Sequence, residues 1–193
     1  MRVYWLAVLA SVSAFDARAQ GAPVVAPTRD VTVSYQLTGV SQTNGAVLMK
    51  IAYAHHNDQV RMDFYAFAGA KVPFGSVIWD APANHVWSLL PETQSYYELP
   101  AAGKPNPGLL LNDKMTFSRI GDTTVAGLGC TDWTIGNGAD YAGSVCVTAD
   151  GVVLRALRTK PQEGSMLATA VVYGAPLPDT FKVPPDLKLR PSK

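Results

Sequence analysis

Val31-Thr32-Val33-Ser34-Tyr35-Gln36-Leu37-Thr38 alternates apolar and polar side chains without a break. Successive side chains of a strand point to opposite faces, so a period of two predicts a strand with one buried and one wet face. The pattern continues beyond this stretch. Asn44-Gly45 marks a turn, Val47, Met49, Ile51 and Tyr53 alternate, and Asn57-Asp58 turns the chain again. Val60, Met62 and Phe64 then alternate with Arg61, Asp63 and Tyr65. Gly75 to Asp80 and His85 to Leu90 flank the turn Ala81-Pro82-Ala83-Asn84, and Pro91-Glu92-Thr93 leads into Gln94 to Leu99. Connections this short cannot carry a parallel crossover, so these strands form an antiparallel meander.

Pro100 to Gly108 holds three prolines and two glycines and breaks the sheet. Leu109 to Met115 is expected to form at most a helical turn, because nothing there caps a long helix. Thr116 to Ile120, Leu128 to Ile135, Ser144 to Ala149, Val152 to Thr159 and Met166 to Tyr173 read as further strands. The tail from Pro176 to Pro191 carries five prolines and is expected to run extended over the surface. About ten strands with no long helix predict a mainly β fold, a curved antiparallel sheet forming an incomplete barrel.

The chain begins with Met1 and Arg2, continues through an uncharged, mostly apolar run from Val3 to Phe15, and reaches Ala17-Arg18-Ala19. That is the layout of a signal peptide, with cleavage expected between Ala19 and Gln20. No cysteine follows the run, so no lipid anchor is expected, and no other stretch is long and apolar enough to form a membrane-spanning helix. The division that follows is a signal peptide over 1–19, a flexible lead-in over 20–30, one β domain over 31–187 and a tail over 188–193. The full chain has 16 basic and 15 acidic side chains, and Arg2, Arg18 and Asp16 leave with the signal peptide. The mature chain is then neutral, which removes the electrostatic case for nucleic acid.

Cys130 and Cys146 are the two cysteines. In an exported chain an even count favours a disulfide, and the spacing is that of neither a redox pair nor a zinc site. With Gly136 to Gly143 as a hairpin turn, Cys130 faces Cys146. Closing a loop of about 15 residues stabilises by about 3 kcal/mol in the chain-entropy account.

Motifs for chemistry are sparse. His55 and His56 are adjacent and point to opposite faces of a strand; a metal site would need His85 with Asp58 or Asp80. Surface polar residues at strand ends are the favoured reading, and no metal or cofactor is expected. No nucleophile elbow, phosphate loop or zinc-protease motif occurs. A small secreted hydrolase is therefore the third reading, with no nucleophile–base pair to carry it.

The aromatic and methionine side chains say more. A single sheet has an apolar face that something must cover, and this chain offers little helix to do it. The sheet must curl on itself, take the 100–115 loop over it, or bind an apolar ligand or partner.

Three segments resemble a known family. They are Ile78-Trp79-Asp80 with Val86-Trp87-Ser88-Leu89-Leu90-Pro91 and Tyr96-Tyr97-Glu98; Gly121 to Trp133, containing Val125-Ala126-Gly127 and Cys130; and Leu177-Pro178-Asp179-Thr180-Phe181-Lys182-Val183-Pro184. In this order, after a signal peptide, they resemble small exported bacterial proteins of the DUF4412 type. Those are grouped with LolA/LolB-like periplasmic lipoprotein carriers and related sigma-factor regulator domains. The resemblance implies a strongly curved LolA-like half barrel whose concave face can hold acyl chains, in the periplasm. It supplies no catalytic residue. The carriers begin with an amphipathic helix, whereas Gly21 to Pro27 here is proline-rich and not helical.

The expected function is a non-enzymatic binding module for a lipid or the acyl chains of a lipoprotein. The groove residues expected on the inward face of the early strands are Tyr35, Met49, Ile51, Met62, Phe64, Trp79 and Trp87. The alternative is an envelope protein-interaction or stress-sensing module, docking a partner on an apolar face or sheet edge.

Overall fold

A computed structural model describes residues 21–39, 45–99, 111, 114–136, 142–160 and 163–191. The expected signal peptide and its cleavage site at Ala19–Gln20, the turn at Asn44, the break over Pro100–Gly108 and most of the expected helical turn lie outside these residues.

The alternating stretches form the strands their pattern predicts. β1 (Val31–Gly39), β2 (Leu48–Ala54), β3 (Gln59–Tyr65), β4 (Gly75–Asp80), β5 (His85–Leu90) and β6 (Ser95–Leu99) make one antiparallel meander. β7 (Thr116–Val125), β8 (Leu128–Gly136), β9 (Ala142–Val147), β10 (Val153–Lys160) and β11 (Gly164–Tyr173) make a second. β11 pairs antiparallel with β1, from Val31 opposite Tyr173 to Gly39 opposite Gly164, and so fuses the meanders into one open sheet. Among the described residues the sheet has twelve strands and does not close into a barrel. Turn chemistry follows the sequence: Asp58 and Asn84 take the left-handed conformation that their short polar side chains tolerate.

The strand β7, the tail and the lead-in depart from the sequence reading. β7 runs on to Val125 because a bulge after Arg119 lets the strand continue past Gly121 to a tight turn at Ala126-Gly127. The tail is not merely draped on the surface. Lys188–Arg190 forms a short strand, β12, parallel to β6, so the sheet is not wholly antiparallel. It is held there by Lys188 N–H donating to the Gln94 carbonyl at 3.0 Å and by the buried side chain of Leu187 beside it. The lead-in is bound as well, as described below.

The two faces differ. Val31, Val33, Tyr35 and Leu37 of β1 point inward with Met49, Ile51 and Tyr53 of β2 and Val60 and Met62 of β3. They join Trp133, Ile135, Val145, Val152 and Leu154 from the other meander in one apolar core, with Leu111 buried against it. On the outer face Ala52, Ala54, Ile78 and Leu89 are covered by Phe181 and Leu187 of the C-terminal segment. That segment enters through a single 3-10 turn at Pro178–Phe181.

Cys130 and Cys146 are joined, with Cα atoms 5.5 Å apart. The register differs from the simple hairpin expectation: Asp132, not Cys130, lies opposite Cys146. The bridge is therefore diagonal across β8 and β9. The register is set instead by the inward pairing of Trp133 with Val145, because a one-residue slip would turn both out of the core.

The lead-in is clamped to the β9–β10 turn. Thr28 N–H donates to the Asp150 carbonyl at 2.9 Å, and Arg29 Nε donates to Asp150 Oδ2 at 2.7 Å while its guanidinium lies 3.7 Å over the Tyr173 ring. Gly151, at φ +86°, is required here: a Cβ would stand 2.1 Å from the Ala26 carbonyl oxygen. Burial works to raise the Asp150 pKa, but hydrogen bonds from Thr148, Arg29 and Tyr173 outweigh it and hold the carboxyl below its ordinary range.

Two outcomes follow. Replacing both cysteines by serine should lower stability by roughly 3 kcal/mol without losing the fold, read as the shift in the urea midpoint. Because the folded Asp150 pKa is depressed, its contribution is present above the ordinary aspartate value of about 3.9 and is lost as pH falls below it. Asp150→Asn should flatten the fall of Tm between about pH 5 and pH 3, measured by circular dichroism.

Candidate functional site

The register places the expected groove residues directly. Tyr35 lies opposite Met49, and Met49 opposite Phe64; Ile51 lies opposite Met62; Trp79 lies opposite Val60. All six share the inner face. Trp87 does not. The four-residue turn Ala81–Asn84 sets Trp79 opposite Val86 and Ile78 opposite Trp87, so Trp87 points outward. There it stacks on His85, with ring centroids 5.1 Å apart, and packs on the cluster formed with Phe181 and Leu187.

The inner face is filled where these residues lie. Tyr35, Met49, Ile51, Met62 and Trp79 are each at most 8% exposed. Tyr35 Oη donates to the Val153 carbonyl at 2.7 Å, and burial pushes its phenol far above the ordinary value. The void lined by Tyr35, Ile51, Tyr53 and Val152 is about 10 Å³, close to the smallest space that holds one water. Toward β4 and β5 the cover thins: Phe64, Phe74, Val77 and Val86 are only half-buried.

An open apolar concavity exists at the other end of the sheet. A cleft of about 400 Å³ lies between the lead-in (Ala22, Pro23, Val24) and β7–β9, with Cys130, Trp133 and Val147 in its wall. Its size is within the usual range for small-ligand sites. One acidic side chain lies on its lining, Asp122, whose carboxyl is held below its usual range by hydrogen bonds from Thr131 at 2.7 Å and from Arg119 at 2.5 Å. The disulfide and the inward Trp133–Val145 pairing fix the floor, and the Asp150 clamp anchors the lead-in a few residues further along the chain. Sequence reading missed Val24, Trp133 and Val147 as site residues. The alternation of β8 marks Trp133 as inward-facing, but nothing local shows that residues 22–24 return to lie beside it.

Among the described residues the histidines contact an acid and aromatic rings. His85 Nδ1 is paired with Glu98, and His55 makes ring contacts with Tyr53 and His56. Among the described residues no three His, Cys, Asp or Glu side chains converge as metal ligands. Among the same residues no helix is long and apolar enough to cross a membrane.

Comparison with known proteins gives a family and a fold. The family model "Domain of unknown function (DUF4412)" matches residues 37–171. The crystal structure of an uncharacterized conserved protein from Thermus thermophilus superposes with a TM-score of 0.60 at 12% identity, over 86% of this chain and 91% of that chain. The Pseudomonas aeruginosa MucA/MucB complex matches with a TM-score of 0.54 at 16% identity, over 82% of this chain and 57% of the matched one. This chain thus spans little more than half the length of that relative. A LolA superfamily protein from Nitrosomonas europaea gives a TM-score of 0.38 at 7% identity, over 83% of this chain and 93% of that chain. At such identities the first two likenesses are ones of fold. No curated protein matches the chain.

Proposed function

The chain belongs to the DUF4412 family, and we propose that it acts as a non-enzymatic periplasmic binding module for an apolar ligand, a lipid or the acyl chains of a lipoprotein. The observation that carries this reading is the open cleft of about 400 Å³ walled by Pro23, Val24, Cys130, Trp133 and Val147. Apolar ligands are held in concave sites of this size with few polar groups in the wall. The half-buried strip of Phe64, Phe74, Val77 and Val86 toward β4 and β5 offers a second stretch of apolar surface. The Cys130–Cys146 bridge and the leader-like start of the sequence support the compartment, because disulfides persist where the surroundings are oxidising.

Mature protein purified from the periplasm without detergent should carry extra mass matching a lipid or an acyl chain in native mass spectrometry. A fatty acid brominated along its chain should quench the fluorescence of Trp133, identified by loss of the quenching in Trp133→Phe. Val24→Asp places a charge in the apolar wall and should weaken binding about tenfold. A clean protein mass together with no quenching would sink the reading.

A second reading rests on a separate observation. Leu157 and Leu167 lie on the outer face about 40% exposed, and Val172 is 63% exposed. An apolar strip left bare on a soluble domain marks a surface for a partner. MucB, which shares the fold, has been solved in complex with MucA. The proposal for this chain is an envelope protein docked on that strip. The double variant Leu157→Asp, Leu167→Asp should lose any partner that wild-type protein recovers reproducibly from envelope extract, with its Tm within a few degrees of wild type. Equal recovery by both would exclude this surface.

A further inference from the structure

The outer face carries a second concavity, remote in character from the apolar cleft. It is an open groove of about 470 Å³ between the sheet and the start of the C-terminal segment. Its floor is made of short side chains, Thr32, Ser34, Ala52 and Ala170, drawn from β1, β2 and β11. Its apolar rim is Val172, Pro176 and Leu177, with Leu177 79% exposed. Its charged wall is Lys50, Arg61 and Asp63.

The charged wall is built, not incidental. Arg61 Nε donates to Asp63 Oδ1 at 2.7 Å and Arg61 Nη1 donates to the Thr180 carbonyl at 3.1 Å, which ties the guanidinium to both walls of the groove. Ser76 Oγ donates to the same Asp63 oxygen at 2.6 Å. Asp63 Oδ1 thereby accepts from two of its own neighbours. Lys50 lies directly opposite Asp63 in the register, is exposed, and makes no hydrogen bond or ion pair among the described residues. Two cations against one carboxylate leave a net single positive charge in a wall that faces an apolar rim.

We propose that this groove binds a small organic monoanion, a carboxylate on a compact apolar body. Lys50 meets the carboxylate, and Val172, Pro176 and Leu177 take the body. One uncompensated charge matches a monoanion, whereas a phosphate dianion would leave a charge unmet. A charge-assisted bond from an ammonium to a carboxylate is roughly twice as strong as a neutral hydrogen bond, although the ammonium acts as a point charge and leaves orientation to the apolar rim. The site is independent of the apolar cleft and does not need the binding function proposed above to hold.

The test uses 4-phenylbutyrate and its uncharged counterpart 4-phenylbutanol, each titrated into isotopically labelled mature protein and followed by NMR. The acid should shift the amides of Lys50, Ala52, Ala170 and Val172, and should bind about tenfold tighter than the alcohol. Lys50→Glu, an exposed change, should remove that preference. Leu177→Ser should weaken both compounds alike. Shifts confined to the residues around Trp133, equal affinity for acid and alcohol, or no shift at all with folded protein would each overturn the proposal.

Discussion

A sheet with little helix to cover it must bury its apolar face against itself, and the rest of this structure depends on how that burial is achieved. Alternation along β1 to β4 produces a face of Val, Ile, Met, Tyr and Trp that water would penalise by about 25 cal/mol for each Å² left exposed. The second meander supplies the other half of the core, and β1 pairing with β11 brings the two halves into one sheet. Curvature does what a covering helix does elsewhere. Sites are consequently left at the ends and on the back, where the curl does not reach: the cleft under the lead-in, and the groove on the outer face beside the C-terminal segment.

The two concavities differ in chemistry because they lie on opposite products of the same alternation. Inward positions are apolar, so a gap between them, as beside Trp133, is apolar too. Outward positions carry Lys50, Arg61 and Asp63, so a gap over them is charged. The C-terminal segment turns part of the polar face into a walled groove while its Phe181 and Leu187 cover Ala52, Ala54, Ile78 and Leu89. Arg61 is shared by both arrangements, since it holds the Thr180 carbonyl, one residue before Phe181.

Local periodicity carried most of the fold. The β1–β6 meander, its turns at Asn57-Asp58 and Ala81–Asn84, and the disulfide partners were readable because each depends on neighbours within one hairpin. The reading that put Trp87 inward with Trp79 was wrong, although the signal was present: the four-residue turn between Asp80 and His85 fixes the parity of both strands and sets Trp87 on the opposite face from Trp79. Other features were not legible, for a physical reason. Lys188–Arg190 has no room for an alternating pattern between its flanking residues, and its pairing with β6 is decided by where Leu187 is buried. The cleft beside Trp133 needs residues 22–24 to meet a hairpin more than a hundred positions away. Such meetings are set by the assembled sheet, and no short window of sequence encodes them.

The pairing of β1 with β11 has a consequence in time as well as in space. The first strand of the sheet finds one of its two neighbours only near the end of the chain, with Val31 opposite Tyr173. Closing so large a loop is an entropic cost that must be met before its contacts form, and chains dominated by such pairings fold slowly. In a nascent chain of this topology β1 therefore lacks one of its two neighbours until β11 has been made. Up to that moment the chain presents two incomplete meanders and an unpaired edge along β1, which is the state in which a chain can still be threaded through a narrow passage and the state in which it most needs protection from its neighbours.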